Sequence, residues 1–268
     1  MKRLNRGLNA ALLASDGLLS RVRSPKGPHI LMACMPKTAS TFLASAFAEL
    51  PGFRRCRLTP DWGAREQELC AIRLSRYNHQ RYVAQHHLKH SEWTATLIRK
   101  YNITPVVLVR DLADITMSIR DHMRRELVRG PIAFFETRHL HMPGDELEEA
   151  IVRLAIPWYL NFYVGWRVSG GAAIFDYDDY TADPVAVMAE ILQLAGHPMP
   201  RGSIAEALAK VRGENTRFNV GRAGRGRALS AGAKEALLRS LDFYPWLADD
   251  PLFLKTRATL LAEAAPAL

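Results

Sequence analysis

The sequence predicts an α/β protein in which a central parallel sheet is covered by helices on both faces, a three-layer α/β/α arrangement. Two observations lead to this class. Segments with the apolar, β-branched composition of buried strands alternate along the chain with segments of helical periodicity. No internal repeat or low-complexity linker interrupts the 268 residues, so a single domain spanning residues 1–268 is expected.

The elements can be assigned in order. HILMACM (29–35) has the character of a short buried strand, and helical spacing follows from 40 to 50 until Pro51-Gly52 ends it. A polar, irregular region follows, with helical character around 65–74. RYVAQHH (81–87) fits a short strand, and SEWTATLIRKYN (91–102) fits a helix capped by its serine.

The second half repeats the alternation. TPVVLVR (104–110) is a β-branched run typical of a parallel strand, and residues 111–128 have helical periodicity. Residues 147–168 predict one or two long helices, with a kink or a break at Pro157. AAIFDYDDY (172–180) predicts a further strand, and a helix that begins with a proline follows at 183–197.

The composition is that of an ordinary globular protein, with 48% hydrophobic and 24% charged residues. The 36 Lys and Arg outnumber the 27 Asp and Glu, and the formal charge of +9 favours an anionic ligand. The basic residues are scattered without an aromatic-interleaved ribbon, so nucleic acid is not the expected partner. The three cysteines show no CxxC spacing, which argues against a disulfide framework or a zinc site and favours a reducing compartment.

Residues 1–27 have basic flanks and carry Leu4, Leu8 and Leu12 at helical spacing, which predicts a short amphipathic N-terminal extension. Packing on the protein body and weak contact with a membrane surface are both open for this helix, and packing is favoured. Its apolar stretch is too short for a signal peptide or a membrane span, and no other segment approaches transmembrane length. We therefore expect a cytoplasmic protein without a transmembrane segment.

The first predicted strand ends in an unusual turn, residues 36–41 (PKTAST), which leads into the first helix. The first turn of a helix presents unpaired N–H groups and the positive end of the dipole. Lysine and hydroxyl side chains add charge and donors, a combination suited to phosphate or sulfate. An ordinary N-cap, with Thr38 or Ser40 closing the helix and Lys37 in solvent, fits the same residues, so the turn alone leaves both interpretations open.

Two more predicted strands carry polar side chains at or near their ends. Arg110 ends the strand at 104–110, and Ser118 follows eight residues later in the next helix, while Tyr177 lies in the strand at 172–180. Ligands of parallel sheets bind beyond the carboxyl ends of the strands, so the three strand ends together indicate one site. Each residue alone also fits a structural role: a surface arginine, a helical serine and a tyrosine at a strand edge.

A nucleotide kinase is the main competing class. Its phosphate loop has the form GxxxxGK[ST], in which the lysine ends the loop and reaches the terminal phosphates. Here Lys37 begins the turn, and no glycine occurs between residues 30 and 51. The pattern therefore fits an ATP- or GTP-dependent phosphotransferase poorly.

At four places the sequence resembles the sulfotransferases that use 3′-phosphoadenosine 5′-phosphosulfate (PAPS). PKTASTF (36–42) resembles their PKSGTTW-type 5′-phosphosulfate loop, and VVLVRDLADITMSIRDH (106–122) resembles the segment whose arginine and serine hold the 3′-phosphate. YDDYTADP (177–184) is similar to their YEDM-type segment, and FNVGRAGRGR (218–227) resembles their C-terminal GxxGxxK loop. The matches come in the family's order and span residues 33–227.

The resemblance implies a P-loop-NTPase-like sulfotransferase fold and an enzyme that moves a sulfuryl group from PAPS to an acceptor hydroxyl, releasing PAP, with no metal required. It implies that Lys37 neutralises charge on the bridging oxygen and the 5′-phosphate, that Arg110 and Ser118 bind the 3′-phosphate, and that Tyr177 reaches the adenine. The implied donor-binding residues are Lys37, Thr38, Ala39, Ser40, Thr41, Phe42, Arg110, Ser118, Tyr177, Arg217, Asn219, Gly221, Arg222, Gly224 and Arg225.

The family also implies a histidine base. AQHHLKHS (84–91) resembles the THLP segment of the cytosolic members and aligns His87 with their catalytic histidine. An unperturbed pKa near 6.5 allows a histidine to accept a hydroxyl proton at neutral pH. A plain surface histidine cluster and a metal site made by His86, His87 and His90 are the competing interpretations, and one of the neighbouring histidines could be the base instead of His87. Against the metal site, adjacent histidines on a strand point to opposite faces and no Cys or carboxylate completes the ligand set.

Three departures from the family pattern bear on the donor site. Ala39 replaces the glycine of the first loop, which is tolerable only if this residue does not need a positive φ. Phe42 replaces the tryptophan that stacks on adenine, so an aromatic face is kept. At the last loop residues 219–221 (NVG) replace Arg-Lys-Gly, and charge on the 3′-phosphate must come from elsewhere. The candidates are Arg217, Arg222 and Arg225.

The acceptor is expected to be a small-molecule, glycan or lipid hydroxyl, bound by the stretches 53–80 and 129–165. Their aromatic residues indicate an apolar or sugar-stacking pocket, although a plain role in the core fits most of them. They are Trp62, Phe134, Phe135, Trp158, Tyr159, Phe162 and Tyr163. Two other classes stay open: a nucleotide kinase-type phosphotransferase, and a non-catalytic protein that binds a nucleotide or nucleic acid.

Overall fold

The computed structural model describes residues 25–60, 66–126, 135–212 and 223–262. Within these ranges, a single five-stranded parallel sheet lies at the centre, in the order β2-β3-β1-β4-β5. The strands are β1 His29–Cys34, β2 Phe53–Arg55, β3 Arg81–His86, β4 Ile103–Val109 and β5 Ala173–Asp176. The predicted α/β class with a central parallel sheet is confirmed.

Helices connect the strands and follow the last of them. They are α1 Ser40–Ala48, α2 Ala71–Tyr77, α3 Glu92–Lys100, α4 Leu112–Glu126, α5 Thr137–Leu140, α6 Gly144–Leu154, α7 Ile156–Ser169, α8 Tyr177–Ala182, α9 Pro184–Leu194, α10 Arg201–Arg212, α11 Ala231–Asp242 and α12 Pro251–Leu261. Short 3-10 helices lie at Arg225–Ala228 and Pro245–Leu247. In the described ranges, none of these helices is long and apolar enough to cross a membrane.

The sheet is buried on both faces because alternate residues of each strand enter two different apolar clusters. In β1, Ile30 and Met32 pack with α1, α9 and α10, whereas Leu31 and Ala33 pack with α4, α6, α7 and α11 on the other side. All six residues of β1 are buried, which explains why its sequence is a continuous apolar run rather than an alternating one. The result is the three-layer α/β/α arrangement.

The chain leaves the two central neighbours, β1 and β4, toward opposite faces. The helix after β1 packs into one apolar cluster through Phe42 and Leu43, and the helix after β4 packs into the other through Ile115 and Ile119. A crevice opens beyond the carboxyl ends of two parallel strands whose connections diverge in this way, and such a crevice is where ligands of open α/β sheets bind. The turn that contains Lys37 and the residue Arg110 both lie at this crevice.

The structure differs from the predicted elements at two places. β2 was not predicted, because it has only three residues and two of them are exposed arginines. The predicted strand 172–180 ends at Asp176, whose side chain accepts from Asp178 N at 2.8 Å and caps α8, so Tyr177 begins a helix. The long segment around Pro157 is broken into α6 and α7, which agrees with the break that the sequence allowed there. The predicted N-terminal helix lies outside the described residues.

Candidate active site

The turn between β1 and α1 contains two residues in the left-handed backbone region. Lys37 has a φ of 71° and Ala39 a φ of 53°, values that non-glycine residues adopt at an energetic cost. The expectation that Ala39 avoids a positive φ is therefore wrong. Ala39 itself occupies the N-cap position of α1 and no side chain caps the helix there, so the interpretation of Thr38 or Ser40 as the N-cap is wrong as well.

The backbone carbonyls of residues 35–37 each accept a hydrogen bond from a side chain. The donors are, in order, Thr38 Oγ1 at 2.8 Å, Tyr159 Oη at 3.4 Å and Arg110 Nη1 at 3.3 Å. The negative ends of three successive peptide dipoles are thus satisfied by the protein. The first N–H groups of α1 have no intrahelical partners, and backbone that passes through left-handed residues forms concavities lined by N–H groups. This arrangement leaves N–H groups, and not carbonyl oxygens, as the groups that the turn can offer to a ligand.

Arg110 follows β4 beside this turn and is only 6% exposed. Its guanidinium carbon lies 4.2 Å from the centroid of the Tyr177 ring, and its Nη2 lies 3.5 Å from an oxygen of Asp114. Burial raises the pKa of Tyr177, and the charge of Arg110 partly opposes that rise. The aromatic face, the carboxylate and the Lys37 carbonyl together fix the position of a buried positive charge next to the anion-binding turn.

Asp114, in the first turn of α4, holds the last loop in place. Its Oδ2 accepts from Gly224 N at 2.9 Å and its Oδ1 accepts from Gly226 N at 2.8 Å. Gly226 approaches α4 so closely that a Cβ atom would lie 2.4 Å from Ala113 Cβ, and Gly224 has a φ of 78°. The loop is therefore docked one helical turn beyond Arg110, at the same crevice.

Arg225 is bound into an ion-pair network. It pairs with Asp121, which also accepts from Arg120 at 3.2 Å, and Arg120 in turn donates to Glu148 at 2.5 Å. Burial raises the pKa of Asp121, but the two arginines outweigh this effect and the pKa is lowered. The network ties the 3-10 helix Arg225–Ala228 to α4 and α6, so the charge of Arg225 is matched by a carboxylate.

Ser118 and Phe42 are both buried. Ser118 lies in the second turn of α4, the helix that Arg110 precedes. Phe42 lies in α1 with its ring centroid 6.5 Å from that of Tyr180, so it is part of the apolar layer behind the turn. The remaining predicted residues of the last loop, Arg217, Asn219, Gly221 and Arg222, lie outside the described residues.

His87 follows β3 directly and lies beside the end of β1. Its Nδ1 is 2.8 Å from Cys34 O and 3.5 Å from Cys34 Sγ, and its backbone N–H donates to Gln67 Oε1 at 3.0 Å. A carbonyl oxygen can only accept, so Nδ1 carries the hydrogen and Nε2 of the neutral ring carries the lone pair. This is the tautomer of a histidine that is oriented through one nitrogen and accepts a proton at the other.

Burial lowers the pKa of His87, whereas Cys34 raises it through charge and through hydrogen bonds to its sulfur and carbonyl, and the net result is a raised pKa. The ring is half-buried at the carboxyl edge of the sheet. The ring therefore has a fixed orientation and a raised pKa, and its neutral Nε2 could accept a proton from a bound hydroxyl group.

The other two histidines of this segment have structural partners. His86 is fully buried, its Nε2 accepts from Leu58 N at 2.9 Å, and burial lowers its pKa to about 3. The His90 ring packs edge-on against Trp166, with centroids 5.3 Å apart. Within the described part of the chain, no group of three His, Cys, Asp or Glu side chains is arranged to hold a metal ion.

Most of the aromatic residues predicted for an acceptor pocket belong to the core. Tyr159, Phe162 and Tyr163 of α7 are almost fully buried. Trp158 is half-buried and stacks on Phe162 with centroids 5.4 Å apart. Phe135 is also buried, and Trp62 and Phe134 lie outside the described residues.

Sequence reasoning missed two residues of the site, Asp114 and Gln85. Asp114 had a detectable signal, because a carboxylate in the first turn of the helix predicted at 111–128 is within reach of the arginine that directly precedes that helix. Gln85, which contacts the first residues of α1 from β3, had none, since a single glutamine in a strand does not reveal its partner.

Comparison with known proteins yields no match to a protein-family model and none to a curated protein. Among solved structures, the chain is similar to a mouse sulfotransferase, SULT7A1, in complex with PAP, with 14% identity, a TM-score of 0.60, and coverage of 90% of this chain and 91% of the other. A sulfotransferase from Alicyclobacillus acidocaldarius matches with 11% identity, a TM-score of 0.45, and coverage of 88% and 94%. Retinol dehydratase in complex with androsterone and PAP matches with 12% identity, a TM-score of 0.46, and coverage of 89% and 82%. The likeness to the mouse enzyme shows that this chain has the sulfotransferase fold.

Proposed function

We propose that this protein is a sulfotransferase that moves a sulfuryl group from PAPS to an acceptor hydroxyl and releases PAP. The observation that carries the proposal is the turn after β1, whose three carbonyls are satisfied by side chains while its N–H groups begin a helix. Such a turn binds the anionic end of a nucleotide. The shared fold with a sulfotransferase crystallised with PAP points to the same class of ligand.

The donor site that we propose has two anionic subsites. Ser40, Thr41 and the backbone N–H groups of the turn, that of Thr38 included, would hold the 5′-phosphate, with Lys37 adding charge to the same turn; the Thr38 hydroxyl closes the turn on Met35 O. Arg110 and Ser118 would hold the 3′-phosphate, with the last loop docked beside them on Asp114. The burial of Arg110 against an aromatic ring and a carboxylate supports this assignment, because it fixes a charge where a second phosphate would bind.

PAPS supplies the sulfuryl group and leaves as PAP. The side chains would contribute alignment and charge, which are the main requirements of loose, in-line transfer reactions. Lys37 would neutralise the oxygen that gains charge as the sulfuryl group departs. His87 would accept the proton of the acceptor hydroxyl at Nε2, and its Nδ1 contact with Cys34 O supports this role by fixing the tautomer.

The acceptor that we propose is a small molecule, glycan or lipid that carries a hydroxyl group. The region around α7 would contribute to its pocket, with half-buried Trp158 as a partly accessible aromatic side chain. A reducing, cytoplasmic location is proposed because Cys34, Cys56 and Cys70 are all free thiols. The direct test of the acceptor is transfer from radiolabelled PAPS to a panel of alcohols, phenols, sugars and lipids.

The nucleotide assignment is tested by thermal unfolding with added ligands. PAP should raise the melting temperature by mass action on the native state, whereas ATP, which lacks a 3′-phosphate, should raise it much less. Arg110→Ala should weaken binding of PAP more than binding of adenosine 5′-phosphosulfate, because the latter has no 3′-phosphate and is affected only by the loss of the hydrogen bond from Arg110 to the turn. Arg239→Ala, which removes an exposed arginine paired with Glu235, is the matched control. Equal stabilisation by PAP and ATP would overturn the proposal and favour a kinase-type enzyme, and PAP binding without any turnover of PAPS would favour a non-catalytic binding protein.

A further inference from the structure

Gln85 lies in β3 directly beneath the beginning of α1, and it is only 4% exposed. Its Nε2 lies 3.0 Å from Ser40 Oγ and 3.5 Å from Thr41 Oγ1. Its Oε1 lies 2.6 Å from Nη2 of Arg55, the last residue of β2. The amide therefore bridges an arginine of the edge strand and the hydroxyls at the first turn of a helix.

These contacts fix which group donates and which accepts in each hydrogen bond from Arg55 through Gln85 to Ser40. A guanidinium can only donate, so the amide atom that faces Arg55 must be the oxygen, and the orientation of Gln85 is determined. The amide nitrogen can only donate, so Ser40 Oγ must accept from it. The hydrogen of the Ser40 hydroxyl is consequently directed away from Gln85 and is available to another acceptor.

Thr38 has the opposite arrangement. Its hydroxyl donates to Met35 O at 2.8 Å, and its hydrogen is used within the turn. The hydroxyls of this turn are therefore not equivalent: Ser40 can donate to an anion, whereas Thr38 offers only lone pairs, which an anion repels.

We propose that Arg55 and Gln85 are positioning residues that make Ser40 a hydrogen-bond donor to the anion bound at the first turn of α1. The inference rests on the proposed function, in which that anion is the 5′-phosphate of PAP or PAPS. Arg55 acts through Gln85, and Gln85 acts through Ser40, with Thr41 as a second, weaker contact at 3.5 Å. The positive charge of Arg55 further polarises the amide, which strengthens the donor character of Nε2.

The test is PAP affinity, measured by calorimetric titration, in a double-mutant cycle. Gln85→Met removes the amide contacts with Ser40, Thr41 and Arg55 without adding charge. It should weaken PAP binding about tenfold or more, because the hydrogen bond from Ser40 to the charged phosphate is lost. In a Ser40→Ala background the same substitution should change PAP affinity by less than roughly twofold. An undiminished effect in that background would show that Gln85 acts through the fold and not through Ser40, and would overturn the proposal.

Gln85→Glu gives a signature that a purely structural role does not. A carboxylate keeps the contact with Arg55 but accepts from Ser40, so the hydroxyl hydrogen turns toward residue 85 and PAP binding weakens. When the carboxyl is protonated at lower pH it can donate again, and the affinity relative to the wild-type protein should recover as the pH falls. A ratio that does not change with pH would contradict the proposed direction of the hydrogen bonds.

Arg55→Met tests the contribution of Arg55, the residue of this hydrogen-bonded series farthest from the anion, with Arg54→Met as the matched control. Both arginines are exposed residues of β2, so both variants should fold, but only the Arg55 substitution should weaken PAP binding, by roughly threefold to tenfold. Equal affinities for the two variants would overturn the role of Arg55. If the wild-type protein does not bind PAP at all, the proposed function fails. If it binds PAP and the Gln85 and Arg55 variants bind it equally well, only the present inference fails.

Discussion

Replacing Gly226 by alanine should both destabilise the protein and weaken nucleotide binding. A Cβ atom at this position would lie 2.4 Å from Ala113 Cβ, 2.7 Å from Ala113 C and 2.9 Å from Asp114 N. Carbon atoms in contact are separated by roughly 3.5–4.0 Å, so the loop and α4 must move apart by about 1 Å. Two of the three atoms belong to the backbone of α4 and cannot rotate away.

The cost has two parts. Overpacking of this kind costs about 1–3 kcal/mol. The displacement also lengthens the 2.8 Å hydrogen bond from Gly226 N to the buried carboxylate of Asp114, and the loss of a hydrogen bond to a charged group costs about 1.5–3 kcal/mol. We expect a net loss of about 3 kcal/mol from the two effects when the loop stays docked. For a domain of this size, that corresponds to a melting temperature roughly 6–12 °C lower.

Thermal unfolding and PAP titration should be measured together, because the loop can also respond by detaching from α4. In that case the melting temperature falls less, and PAP affinity falls more, than in a variant whose loop stays docked. Gly202→Ala is the matched control: a Cβ there meets nothing within 4 Å, and an alanine in helix α10 should stabilise the protein by about 0.4–1 kcal/mol without changing PAP affinity. A Gly226→Ala protein that equals the wild type in both measurements would refute the close docking of the loop.

Three further predictions follow from the site. Asp114→Asn keeps the shape of the side chain but replaces one acceptor oxygen by a donor, so it should weaken PAP binding about tenfold by titration, and an unchanged affinity would contradict the role of Asp114 in docking the loop. The turnover of the wild-type protein should fall as the pH drops through the pKa of His87, which lies above the ordinary histidine value, because the base must be neutral. The His87→Ala variant should lose most of its turnover but retain PAP binding. Normal rates of this variant on an alcohol would exclude His87 as the base. His86 is buried neutral with a pKa of about 3 in the folded state, so the unfolded state takes up a proton first, and stability should decrease as the pH falls from about 6.5 toward 3, by roughly 2 kcal/mol at pH 5. His86→Gln should flatten this decrease in denaturant unfolding, and an equally steep decrease in the variant would show that other groups cause it.

The sheet could be predicted from the sequence because its central strands are buried on both faces. In β1, β3 and β4, successive apolar residues enter the core clusters on the two faces of the sheet; they are residues 30–34, 82–84 and 106–109. β2 gave no such signal, because a three-residue edge strand has one buried side chain and two exposed ones. Without β2, the sequence could not reveal Arg55 or its contact with Gln85.

The candidate site was predictable where its residues follow strands and not where they come from elsewhere. Lys37, Arg110 and His87 each come directly or almost directly after a strand, and parallel topology alone brings such residues to one edge. The docking of Gly224 and Gly226 on Asp114 joins positions more than a hundred residues apart in the chain. A local sequence pattern does not predict contacts between residues so far apart. The resemblance to sulfotransferases placed the loop at the site, but the carboxylate that holds it became visible only in the structure.

The conformation of the anion-binding turn is the part that depends most on such distant contacts. Lys37 and Ala39 have positive φ values that their side chains disfavour, so local preference alone does not produce this turn. What holds it is the set of donors to its carbonyls, which come from the turn itself, from the end of β4 and from α7. Each of these hydrogen bonds contributes about 0.5–1.5 kcal/mol, and together they are comparable with the cost of two strained residues. Because the turn is held by its surroundings, its N–H groups keep their orientation before any ligand binds, and the reorganisation that a flexible loop would require is avoided. The strained backbone of this turn is thus a consequence of the arrangement of its N–H groups. The hydrogen bonds that hold the turn offset the strain, which explains why alanine is tolerated at position 39.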